Sequence, residues 1–242
     1  PPPALPDARP IYAAVRGLNI QNLHDVKVIV FSWPSKMDTR DGLKNFMNSR
    51  NNLEAGLAHF RELLLMIQKY KHSSIWPEEN RLSLLMHSLG NYYLELAVKE
   101  KMLEGIDKDL FDNVVINAAA IDQENHALWL EKLDISKRIF VNLNKGDFNL
   151  KGASFFTKAG KQLGAVVEPP LAKNAFYVHF SEAVGFKFPT WLSHTYFVGE
   201  IPSESENIRK FYRRIFHGEK VDLFNDSVFI LRDDGLGYNI KY

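Results

Sequence analysis

Residues 82–91 read L-S-L-L-M-H-S-L-G-N, and a helical pattern begins immediately, running from Leu89 to Leu103. The block Leu82 to Met86 is apolar on both of its faces, as befits a strand covered by protein on each side. Ser88 lies between that strand and the helix, with Gly90 two residues on. This is the pattern of a nucleophile elbow, in which a tight strand-to-helix turn lifts the hydroxyl above the sheet. The amino end of the helix then faces developing negative charge. Ser88 is the candidate nucleophile, and the backbone N–H of Leu89 is a candidate oxyanion donor. Serine is also a favoured helix cap, so the same residues allow a purely structural role.

Working outward, short β-branched and aromatic runs alternate with segments of helical period, which predicts an α/β fold. The sheet is mostly parallel, with helices on both faces. Strands are expected at Val26 to Phe31, Leu82 to Met86, Val114 to Asn117, Arg138 to Leu143 and Ala175 to Phe180. Leu53, Leu57, Phe60, Leu64 and Ile67 recur at spacings of three and four, one apolar face of a long helix. Ile208 to Phe216 reads the same way. Ile11 to Val15 would be another strand, but the stretch to Val26 is short for a parallel crossover, so residues 1–25 read as an irregular or incomplete start. The initial Pro1-Pro2-Pro3 in place of methionine suggests a lost native start or cleaved signal. Gly and Pro gather at 164–170 and 185–189, marking a lid or insertion, and Asp234-Gly235 centres a terminal hairpin over 221–242. One domain spanning 1–242 is expected.

Composition narrows the function. Thirty basic residues against 29 acidic ones leave a formal charge of +1, so the chain lacks the basic field that nucleic acids demand. No cysteine occurs, which removes disulfides, thiolate metal cages and a thiol nucleophile. Cytosol and periplasm both suit such a chain, with the cytoplasm slightly favoured. The apolar runs are far shorter than the ~20 residues of a membrane span, so a soluble protein is expected. H-E-x-x-H, a phosphate loop and G-x-G-x-x-G are absent, and His24-Asp25 and His217-Gly218-Glu219 read as surface pairs. Neither a metal nor a cofactor is called for.

A serine nucleophile needs a base, and the base needs an acid to fix its tautomer. After Ser88 come His126, His179, His194 and His217. His126 falls in a helical pattern, His179 inside a strand and His217 at a helix end. His194, in W-L-S-H-T-Y, alone lies in a loop past the last central strand. Two acids follow strands, Asp147 in N-L-N-K-G-D-F and Asp122 in N-A-A-A-I-D. The strand order favours Asp147, Asp122 is the alternative acid, and helix capping is the plain reading of either.

Taken together and in this order, F-S-W-P-S at 31–35, H-S-L-G-N at 87–91, N-A-A-A-I-D at 117–122, G-D-F-N-L at 146–150 and S-H-T-Y at 193–196 form a set. The set resembles an uncharacterised bacterial branch of the α/β-hydrolase superfamily, over about residues 26–200. The resemblance implies a serine hydrolase acting on a small ester-type substrate, with Ser88 as nucleophile, Asp147 as acid and His194 as base. The branch's H-G-F-N oxyanion loop has its counterpart in Arg16-Gly17-Leu18-Asn19, making Gly17 the second oxyanion donor. Met86 stands where such elbows usually carry glycine, which leaves open a catalytically silent fold used for binding. Phe186, Phe188, Trp191 and Phe197 near the proposed base suit either an apolar substrate or the packing of the domain edge.

Overall fold

The computed structural model describes residues 26–31, 33, 42–157, 160–185, 187–189 and 192–242. Ile11 to Val15, Gly17, Phe186 and Trp191 lie outside them. Its sheet is built on the apolar runs, with strands β1 (Ser83–His87), β2 (Asn113–Asn117), β3 (Ile139–Leu143), β4 (Ala175–His179), β5 (Phe229–Leu231) and β6 (Tyr238–Ile240). The order across the sheet is β1-β2-β3-β4-β6-β5. All neighbours are parallel except β5 and β6, which pair antiparallel. Val114, Val115, Ile116, Val141 and Leu143 are wholly buried, as double coverage by helices requires.

Helices α1 (Gly42–Ala55), α2 (Leu57–Lys71), α3 (Asn91–Lys99), α4 (His126–Leu130), α5 (Phe148–Thr157), α6 (Ser181–Val184), α7 (Glu200–Glu204) and α8 (Glu206–Phe216) complete the described residues. The single helix expected across Leu53 to Ile67 is two helices that meet at Gly56. A Cβ on Gly56 would lie 2.5 Å from the Tyr93 hydroxyl, so the bare backbone at the junction lets α3 approach. The apolar face survives the break, since Leu53, Phe60 and Leu64 are all buried.

The strand expected at Val26 to Phe31 does not form. Ile29 and Val30 face solvent, while Phe31 packs its ring 5.7 Å from that of Phe60 and 5.5 Å from that of Tyr93. The segment is thus anchored by aromatic burial on α2 and α3 rather than by ladder pairing.

Helix α8 buries Ile208, Phe211, Tyr212 and Ile215 on one stripe, each worth roughly 1.5–3 kcal/mol of apolar burial. Ser205 caps it by accepting the Ile208 N–H at 3.4 Å. Its far end is tied to the sheet, because Asn113 Nδ2 donates to the Ile215 carbonyl at 3.0 Å and Arg138 donates to that of Gly218 at 2.7 Å. The closing hairpin turns through Asp234 and Gly235 and lays β6 beside β4. Gly237, at φ 101°, admits this approach, since a Cβ there would sit 2.2 Å from the Tyr177 carbonyl. Among the described residues no helix is long and apolar enough to cross a membrane. Because β1 to β4 are parallel, their carboxyl ends share one edge, and that edge delivers His87 and Ser88, Asn117, Asn144 to Asp147, and the chain that leads on to His194.

Candidate active site

Ser88 leaves β1 with φ of 53°, in the left-handed region that non-glycine residues seldom enter. A short 3₁₀ turn (Ser88–Gly90) follows and α3 continues from it, so the helix begins two residues later than the apolar spacing implied. The Ser88 carbonyl accepts from the Ala120 N–H at 3.2 Å and from Asn91 Nδ2 at 2.9 Å. Met86, in the usual glycine position, is buried in the core, and its strand keeps register with Ile116 of β2. The bulky side chain is accommodated while the serine backbone stays left-handed. Gly17 lies outside the described residues.

At the end of β3, Asp147 is wholly buried and its Oδ2 lies 2.7 Å from His194 Nδ1. Its Oδ1 accepts the N–H groups of Asn149 at 3.0 Å and Leu150 at 3.1 Å. Asp147 therefore caps α5 and meets the histidine at once. A carboxylate can only accept, so His194 carries its proton on Nδ1 and presents a bare Nε2. Asn144 clasps the two loops. Its Nδ2 donates to the Ser193 carbonyl at 2.8 Å, and its Oδ1 accepts the Gly146 N–H at 2.9 Å. In return Ser193 Oγ accepts the Phe148 N–H at 3.2 Å.

Asp122 lies elsewhere. Its oxygens accept the N–H groups of Glu124 at 2.9 Å, in a local turn, and of Gly160 at 3.3 Å, across to a later loop, and no histidine reaches it among the described residues. His126 and His179 are also accounted for locally. His126 bonds the Gln123 carbonyl and the Tyr177 hydroxyl, each at 2.8 Å, and His179 bonds the Leu236 carbonyl at 2.8 Å. Burial lowers the pKa of both. His217 closes α8.

A serine at a left-handed strand-to-helix turn, together with a histidine–aspartate pair delivered by later parallel strands, describes one superfamily. Residues 13–197 match a family described as an alpha/beta hydrolase of unknown function (DUF900). The chain belongs to this family. No curated protein and no solved structure matches it.

His87 belongs to the same candidate site, and a search confined to histidines after Ser88 does not reach it. His87 lies against His194, with ring centroids 4.6 Å apart and planes at 48°, and against Phe197 at 4.9 Å. Its Nδ1 accepts from Asn117 Nδ2 at 3.2 Å. Asn117 Oδ1 in turn accepts the Tyr212 hydroxyl at 2.6 Å and Asn142 Nδ2 at 3.2 Å, which fixes which end of the amide faces His87. The His87 proton thus sits on Nε2. Loss of hydration, and then the neighbouring His194, push its pKa down to about 3, so this imidazole is neutral at ordinary pH. Tyr196 lines the same floor. Its hydroxyl donates to the Asn142 carbonyl at 3.2 Å, and burial followed by the nearby Asp147 charge raises its pKa well above the usual phenol value. Among the described residues no group of three or more His, Asp or Glu could hold a metal ion.

Proposed function

We propose that this chain is a serine hydrolase that cleaves a carboxylic ester, or with lower preference an amide, through an acyl-serine intermediate. Ser88 is the nucleophile, His194 the base and Asp147 the acid. The observation that supports the reading most directly is the 2.7 Å contact between His194 Nδ1 and Asp147 Oδ2. In the proposed reaction Ser88 Oγ attacks the substrate carbonyl while its proton passes to His194 Nε2. Asp147 steadies the resulting imidazolium. The C–O bond of the ester breaks as His194 returns that proton to the leaving alkoxide. Water, deprotonated by the same histidine, then releases the acid and regenerates the serine. The Leu89 N–H, in the 3₁₀ turn that leads into α3, would face the oxyanion, with Gly17 supplying the second donor.

The test is labelling by a serine-directed phosphonate. The protein takes up the probe at Ser88, and Ser88→Ala abolishes uptake while leaving the circular dichroism spectrum unchanged. If the wild type stays unlabelled where a control hydrolase reacts, or if Ser88→Ala labels as well as wild type, the chain is a hydrolase fold used for binding.

A further inference from the structure

A serine holds a left-handed backbone only where its surroundings over-determine it. At Ser88 the peptide carbonyl is the handle. It accepts Asn91 Nδ2 at 2.9 Å and the Ala120 N–H at 3.2 Å, and the Asn91 backbone N–H also points to it. The same Asn91 Nδ2 reaches the Asn117 carbonyl at 3.2 Å. One amide therefore bridges the turn to the end of the neighbouring strand, where His87 and Asn117 stand in register.

The orientation of that amide admits one reading. Nδ2 lies between two carbonyl oxygens, and a flipped amide would set Oδ1 against both. Correctly placed, however, Asn91 has a cost. Its side chain is wholly buried, and among the described residues its Oδ1 has no hydrogen-bond partner. A buried acceptor left unsatisfied destabilises the fold, and an apolar side chain of the same size in that place would not. The two bonds from Nδ2 and the bare Oδ1 oppose one another in stability, so what sets asparagine apart from an apolar residue here is the shape it gives the turn.

We propose that Asn91 is a positioning residue: its side-chain amide holds the Ser88 turn in the left-handed conformation and so aims the hydroxyl at the reaction centre. The kinetic arm of the proposal rests on the serine-hydrolase reading, and the structural arm does not. Asn91 touches no substrate and acts only through the Ser88 and Asn117 carbonyls. Its removal should therefore lower reactivity far more than it lowers stability, which a purely structural residue does not do.

The experiment compares wild type with Asn91→Leu in three readouts: phosphonate labelling rate at Ser88, thermal midpoint, and the crystallographic φ of Ser88. Labelling is expected to slow by about 10- to 100-fold, as small misplacement of a reacting group does. The midpoint is expected to move little, and φ to leave the positive region. Labelling within about threefold of wild type overturns the proposal. So does a joint fall of labelling and midpoint with φ unchanged. Should Asn91→Leu not fold, Asn91→Ala is read the same way for labelling and φ. If the wild type itself takes no probe, the serine-hydrolase reading fails, and the two crystal structures still decide: φ positive in both removes the role of Asn91, and φ lost only in the variant upholds it.

Discussion

His194 Nδ1 stands 2.7 Å from Asp147 Oδ2, and the other oxygen of that carboxylate is held by two N–H groups opening α5. Asp147 is thus fixed by a helix at the same time as it holds His194. An amide at position 147 could still cap α5 through its oxygen, but its NH₂ would face the imidazole and force the proton onto Nε2. Asp147→Asn is therefore expected to lower turnover of an activated ester by about 10⁴ with little loss of stability. Asp122→Asn, whose carboxylate bonds the N–H groups of Glu124 and Gly160 and no histidine among the described residues, should change turnover less than about threefold. Steady-state kinetics of the two variants decide it, and reversed magnitudes would move the acid to the strand before.

His87 makes a prediction about pH. Its folded pKa is lowered from 6.5 to about 3. Below pH 6.5 the unfolded chain takes up a proton that the folded one refuses until about pH 3, so acidification through this window favours unfolding. His87→Phe keeps a ring against Phe197 and His194 and removes the titration. Between those pH values, urea midpoints of the variant should give a stability slope shallower by up to about 1.4 kcal/mol per pH unit. His126 and His179, also lowered by burial, keep part of the slope in both proteins. Parallel slopes would mean that His87 is hydrated and protonates normally.

Most of the sheet was legible because Val114 to Asn117 and Arg138 to Leu143 are apolar on both faces, which only a doubly covered strand tolerates. The turn at Ser88 was legible too, through its position between a strand and a helix. Val26 to Phe31 has the same local composition yet no strand, because periodicity cannot tell ladder pairing from the anchoring of one aromatic ring. Asn91, Asn117, Asn142 and Asn144 are wholly buried. At strand ends, asparagine reads as a turn former, and its burial depends on what the parallel topology stacks around it. The role of His87 was hidden for a related reason, since desolvation by Phe197 and His194 is a property of the assembled site. The H-S pair of the elbow was the signal that could have raised it.

Gly164 tests the packing behind that site. It exchanges bonds with the chain leaving β2 and β3, donating to the Ala119 carbonyl at 2.9 Å and accepting from the Asn144 N–H at 2.8 Å. A Cβ there would sit 2.1 Å from Ala119 N and 2.2 Å from the carbonyl carbon of Ala118. Both obstacles are backbone and cannot rotate away. Gly164→Ala should cost about 3 kcal/mol or more by urea denaturation, at the upper end of overpacking penalties. A loss under about 1 kcal/mol would show that the 160–166 loop moves freely off the strand ends.

The clasp between the acid and base loops gives the last prediction. Asn144 ties the Ser193 carbonyl to the turn at Gly146, and Ser193 Oγ answers through the Phe148 N–H, so the two residues brace one junction from both sides. Either Asn144→Ala or Ser193→Ala frees the His194 loop to drift. A displacement of about 1 Å at a reacting group can lower turnover by about 100-fold. Each variant is therefore expected to lose about 10- to 100-fold in turnover. Once one arm is gone the other has less to hold, and the double variant should fall well short of the product of the two losses. In free-energy terms the coupling should exceed about 0.5 kcal/mol, the threshold above which neighbouring residues depart from additivity. The two arms are bonds to backbone groups, so neither deletion leaves a charge buried alone, and the stability losses should stay near 1–2 kcal/mol each. Turnover losses that multiply cleanly would show that the two side chains act independently. The position of His194 would then not depend on a shared clasp between Asn144 and Ser193.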